Sequence, residues 1–169
     1  MTTYRRRLTR EKVLQVLYAY EISKEPIALI IEANLEELKS EQEDFAFAQK
    51  LIYEVISHQE ELEGYIKKKV AHWEFDRIAV IDKILLSIGI CELLHFPDIP
   101  PKVTINEAIE VAKSFSTEKS GKFVNGVLDS ILEDLSASNM LHKSGRGLIN
   151  DSATGDMKNP PRHHTPKGT

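Results

Sequence analysis

The chain has one cysteine, one tryptophan and no run of apolar residues approaching the roughly 20 that a membrane helix needs. A lone Cys91 cannot close an internal disulfide, so nothing in the sequence requires an oxidising compartment. The opening MTTYRRRLTREK is basic but lacks the apolar stretch and small-residue cleavage site of a secretion signal. These absences read as a cytoplasmic protein without a membrane partner. No glycine-rich phosphate loop is present, and no alternating strand that would precede one. The histidines, His58, His72, His95, His142, His163 and His164, show no metal-ligand spacing with cysteine or acid. Cys91 falls in the most apolar stretch, where a packed thiol is expected rather than a nucleophile. No catalytic residue, metal or cofactor is therefore expected: the chain should bind other molecules and not transform them.

What is present is helical periodicity, with 41% hydrophobic and 28% charged residues in 169. Val13, Leu14, Val16, Leu17 and Tyr20 make an apolar stripe over a first helix at about 9–22, broken by Lys24-Glu25-Pro26. A second helix follows over about 27–38, and a third from about 41 that continues or restarts through Val70, with Gly64 as its weak point. The stretch 72–77 looks like a corner between two bundles. From Ile78 to Leu94 the chain is apolar nearly all round, which marks a central helix covered on several faces. Pro97, Pro100 and Pro101 end it, and Thr104-Ile105-Asn106-Glu107 has capping-box spacing for the helix that follows. A polar break at 116–121 precedes the last helix, with Phe123, Val124, Val127, Leu128, Ile131, Leu132 and Leu135 on its buried face. The pattern predicts an all-α fold of about seven helices in two small bundles, at about 4–71 and 76–135. The Ser-, Gly- and Pro-containing stretch 136–169 has too little apolar surface to offset its ordering entropy and is expected to be a disordered tail.

The net charge of −4, from 22 basic and 26 acidic residues, hides an asymmetry. Arg5, Arg6, Arg7, Arg10 and Lys12 crowd the start against Glu11 alone, whereas 32–63 is strongly acidic. A basic tip on an acidic body can hold a polyanion in one orientation. Cations at a helix N-terminus oppose the macrodipole by about 0.3–1 kcal/mol each, so helix stability does not explain them. Guanidinium groups that grip phosphate and stack on bases do explain them, although a solubilising basic end accounts for the charge alone equally well. Tyr4 and Tyr18 are the nearby aromatic groups for stacking, with Tyr18 equally placed to be a boundary core residue.

Three segments resemble the NusB family: RRRLTREKVLQVLYAYE at 5–21, DRIAVIDKILLSIGICELL at 76–94 and KVTINEAIEVAKSFSTEKSGKFVNGVLDSIL at 102–132. The last is the most specific, and together they span the pattern from about residue 4 to 135. The resemblance implies two helical subdomains in one RNA-binding domain. It also implies binding of the single-stranded boxA element of ribosomal RNA leaders together with NusE, a small-subunit ribosomal protein. The complex would then join RNA polymerase and other Nus factors in transcription antitermination. By the same resemblance, Arg5, Arg6, Arg7, Arg10, Tyr18, Lys119 and Lys122 are expected on the RNA face, and Tyr18, Asp82 and Glu107 on the NusE surface. Phe115, Phe123 and Asn125 belong to the family's signatures, with Phe123 read as packing. Lys119 stands at a loop position often acidic in relatives. A homodimer that covers the RNA face is left open by these residues. Two rival readings are a protein-binding helical adaptor that never touches RNA and a stand-alone relative of the domain fused to RNA cytosine methyltransferases. The chain lacks the α/β domain and cofactor loop of the latter.

Overall fold

The computed structural model describes residues 3–149, with side chains from residue 5 onward other than those of residues 72 and 73. Among these residues every regular element is helical: α1 (Thr3–Ser23), α2 (Ile27–Asn34), α3 (Gln42–Ser57), α4 (Gln59–Lys69), the single turn α5 (His72–Phe75), α6 (Val80–His95), α7 (Pro101–Phe115) and α8 (Glu118–Ala137). Two 3-10 turns, Glu36–Leu38 and Gly145–Leu148, complete the set. None of the helices is long and apolar enough to cross a membrane. The second half of the expected second helix is therefore a separate 3-10 turn. The third expected helix breaks at His58 and not at Gly64, which lies inside α4 with open space around it.

The stripes read from the sequence are the buried faces. Val13, Leu14, Val16 and Leu17 of α1 pack with Leu51, Ile52 and Val55 of α3, and Leu85, Leu86, Ile90 and Leu93 of α6 meet Val124, Leu128 and Ile131 of α8 in the same continuous core. α1 and α3 run side by side in one direction, with Arg5 near Asp44 at one end and Leu17 and Val55 lining a common cavity at the other. The central role of α6 is reflected in its contacts with α1, α3, α4, α7 and α8. Its close approach to α8 depends on Gly89, where a Cβ would lie 2.8 Å from Leu128 Cδ1. Burial pushes the Cys91 thiol well above its ordinary range, with nearby glutamates adding to the effect, so the group is an inert packing element.

Three helix starts differ from the sequence reading. α1 begins at Thr3, which places Arg5, Arg6 and Arg7 inside the helix instead of ahead of it. α7 begins at Pro101, whose fixed φ suits the first helical position; Thr104 and Glu107 are thus interior residues, not a capping box. α8 is capped by Thr117, whose Oγ1 accepts from the Ser120 amide at 3.0 Å, so Lys119 sits in a helical first turn and not in a loop.

The chain beyond α8 returns to the body. The Ser144 amide donates to the Pro97 carbonyl at 3.0 Å, and Lys143 Nζ donates to the carbonyls of Glu92 and Phe96 at 3.0 and 2.9 Å. Lys143 thus satisfies carbonyls at the C-terminal end of α6, a favourable place for a cation. Burial brings its pKa down to about 8, against the opposing pull of Glu92 and Asp98. Gly147 lies so close to the 97–98 backbone that a Cβ there would meet the Pro97 oxygen at 1.9 Å. Of the expected tail, 138–149 is described by these contacts; the remainder, with His163 and His164, lies outside the described residues.

Candidate nucleic-acid and partner interface

The arginines that lead α1 are all tied to carboxylates from elsewhere in the chain, at the start of α3 and on α6 and α7. Arg5 pairs with Glu41 at 2.6 Å and approaches Asp44 at 3.6 Å, and Arg6 approaches Asp44 at 3.8 Å. Asp44 is buried in the first turn of α3, where an anion suits the helix dipole, so the two N-termini compensate one another. Arg7 makes a two-pronged pair with Glu107, Nε–Oε2 and Nη2–Oε1 both at 3.0 Å. Arg10 does the same with Glu92 at 2.9 and 2.6 Å, and Thr104 Oγ1 donates to the same carboxylate at 3.2 Å.

Depth separates these four. Arg10 is 5% exposed and Glu92 1%, a fully internal ion pair. Burial opposes the charged guanidinium, but Glu92 outweighs it and the Arg10 pKa is raised. Arg10 therefore fixes α1 to α6; of the arginines expected on the RNA face it is the one held inside, its guanidinium bordering the groove that surrounds Arg6, 5.3 Å from the Phe47 ring. Glu107 is 3% exposed and serves as the counter-ion of Arg7 at the edge of the same groove. Arg5, Arg6 and Arg7 keep part of their surface in solvent, with side chains 45%, 31% and 32% exposed.

Around Arg6 lies a groove of about 650 Å³ between α1, α3, the α6–α7 link and the C-terminal 3-10 turn. The Arg6 guanidinium covers the Phe47 ring at 4.2 Å, Phe47 meets Phe96 edge-on at 5.8 Å, and Lys50 Nζ sits 4.6 Å over Phe96. Arg146 and Ile149 close one side of the groove. The exposed cations offer phosphate contacts, and the Arg6 guanidinium over half-buried Phe47 offers a surface for base stacking, with Phe96, 2% exposed, supporting both from within. Nothing in the sequence singles out Phe47, Lys50 or Phe96, and Arg146 is there only one of several cations in the expected tail that could add weak electrostatic affinity. Phe47 and Lys50 lie in the acidic stretch, and Arg146 in a segment whose composition resembles a tail. Only the three-dimensional return of that segment brings it beside Arg6.

The other expected residues form a second group. Asp82, in the first turn of α6, is 7% exposed and accepts from Ser120 Oγ at 3.0 Å. Burial raises its pKa, and the Ser120 hydrogen bond partly opposes this. Lys119 and Lys122 flank Ser120 on α8 and are exposed, but they do not line the arginine groove. Tyr18 is 43% exposed on α1 and shares a helix face with Arg7, three turns away. The structure thus brings Arg6, Arg10 and Glu107 to one groove, with Arg5 beside Arg6 at Asp44, and Asp82 with Lys119 and Lys122 in another place.

Comparison with known proteins bears on the same surfaces. The sequence profile described as the NusB family matches residues 7–133. A "Transcription antitermination protein NusB" of Chloroherpeton thalassium is 46% identical over 149 residues, covering 85% of this chain and 69% of the relative. Its counterpart from Salinibacter ruber is 43% identical over 148 residues, covering 85% and 91%. Among solved structures, T. maritima NusB superimposes with a TM-score of 0.67 at 35% identity, covering 76% of this chain and 91% of that one. A crystal structure of the antitermination factors NusB and NusE in complex with dsRNA matches with a TM-score of 0.69 at 27% identity, covering 79% and 99%.

Proposed function

Because the chain belongs to the NusB family, we propose that it binds single-stranded boxA RNA of ribosomal RNA leaders jointly with the ribosomal protein NusE. NusB proteins are antitermination factors and not enzymes. The observation that carries the RNA half of the reading is the groove where Arg6, Lys50 and Arg146 converge around half-buried Phe47, with Phe96 buried beneath Lys50. Arg5, Arg6 and Arg7 would exchange part of their carboxylate pairing for phosphate, and the Arg6 guanidinium held over Phe47 would offer a plane on which a base of a single strand can stack. The relative crystallised with double-stranded RNA makes a duplex the necessary control.

Exposed Tyr18 and the Asp82 neighbourhood are assigned to NusE, whose ribosomal origin implies a basic partner for an acidic body. The assembled pair would then join RNA polymerase and other Nus factors in the cytoplasm. A homodimer that hides the groove is the competing state, and RNA would dissociate it. Fluorescence anisotropy with labelled boxA-like RNA should show tighter binding than to scrambled or duplexed controls, and further tightening with NusE. Arg6→Ala combined with Arg7→Ala should weaken boxA binding and flatten its log–log salt slope, by about 0.7 for each phosphate no longer neutralised. Equal affinity for all three RNAs, or an unaltered slope, would reject the assignment and favour an adaptor that binds protein alone.

A further inference from the structure

A second cluster of polar side chains lies outside the arginine groove, where α3, α4 and α6 meet. His58 is the hinge residue between α3 and α4, and His95 is the last residue of α6. Their rings stack with centroids 4.0 Å apart and planes 24° from parallel. Glu54, one turn before His58, places Oε2 3.3 Å from His58 Nδ1. Glu61 Oε2 lies 3.3 Å from His95 Nε2. One oxygen of Glu54 and one nitrogen of each ring lie within 4.8 Å of one another.

We propose that Glu54, His58 and His95 bind a divalent transition-metal ion of the zinc class, with Glu61 completing the donor set. Imidazole nitrogen and carboxylate oxygen are the donors such ions take at about 2.0–2.2 Å, whereas magnesium and calcium prefer oxygen alone. Tetrahedral bonds of that length put neighbouring donors about 3.4 Å apart, which matches the His95–Glu61 separation and is one side-chain rotation from the others. The rotation is available because all four side chains reach solvent, between 26% and 42% exposed. His58 Nδ1 lies 2.9 Å from the Glu54 carbonyl, the outer contact that commonly orients a metal-bound ring and leaves its lone pair on Nε2. Electrostatics point the same way. Two carboxylates face two stacked imidazoles. A dication neutralises both acids and uses both ring lone pairs at once. The Glu54–His58 spacing of four is the only local sign in the sequence; His95 arrives from a distant helix, so ligand spacing along the chain does not show the site.

An ion there would tie the α3–α4 hinge to the end of α6 and favour the folded chain. The test is calorimetric titration of the full-length, chelator-stripped protein with zinc chloride, with cobalt(II) absorption reporting coordination geometry. The expected result is one ion per chain, a tetrahedral cobalt spectrum and a raised Tm. His95→Ala and Glu54→Gln should each weaken binding at least tenfold. Glu54→Gln preserves side-chain volume, so its metal-free Tm checks that the fold is intact. His163→Ala with His164→Ala should leave the affinity unchanged. Binding that disappears with the His163/His164 pair and survives His95→Ala overturns the proposal, as does the absence of stoichiometric binding. The outcome is independent of whether the chain binds RNA.

Discussion

Glu92→Ala is expected to lower the unfolding free energy by about 3–5 kcal/mol, measured as a shift in the urea midpoint. The substitution leaves Arg10 charged, 5% exposed and without its two-pronged partner, and takes from Thr104 its hydrogen-bond acceptor. The cost comes from stranding a charge, not from losing a strong attraction. A pair-wise replacement tests this distinction. Arg10→Met with Glu92→Leu removes both charges, fills most of the volume and should recover the greater part of the loss. A Glu92→Ala loss below about 1 kcal/mol would mean that water reaches Arg10, as at an ordinary surface pair. The pair would then be available to RNA after all.

Reversing the charge of Lys50 and Arg146 together should reduce affinity for boxA-like RNA by about 25-fold or more at 0.1 M salt. Each phosphate neutralised on a single strand contributes a log–log slope of about −0.7, or about fivefold at that concentration, and two such contributions multiply. The repulsion added by Lys50→Glu and Arg146→Glu acts beyond that loss. Both residues are exposed, so the fold should tolerate the change. Within the protein the substitutions remove chiefly the placement of Lys50 over Phe96, worth about 0.5–1 kcal/mol at an exposed site. An RNA affinity that stays the same while the unfolding midpoint holds would remove the groove from the RNA path. The prediction separates residues identified from the fold from the arginines identified from the sequence.

The helices are legible in the sequence because burial imposes a 3.6-residue period, and α6, apolar on nearly all sides, announces its central place. Their ends are less so. The α3–α4 break falls at His58 because the chain turns there, while the glycine that looks weak is accommodated within α4. Pro101 starts α7 earlier than the Thr104–Glu107 spacing suggests, which frees both residues for the interior. The same limit governs the site. Arginines are visible as a charge excess, but which of them face water depends on carboxylates far along the chain: Glu92 for Arg10 and Glu107 for Arg7. Charge density alone therefore makes Arg10 look like the others. Helical period also does not report that Phe47 and Phe96 meet, or that residues after α8 bring Arg146 to Arg6.

An amide chemical-shift map of the labelled protein titrated with boxA-like RNA tests the central assignment most directly. The largest shifts should gather on Arg5–Arg7, Phe47, Lys50, Phe96 and Arg146, with Arg10 moved little for its position. Shifts concentrated around Lys119 and Lys122 at the start of α8, with the groove unmoved, would contradict the assignment and place the RNA on that second group of residues.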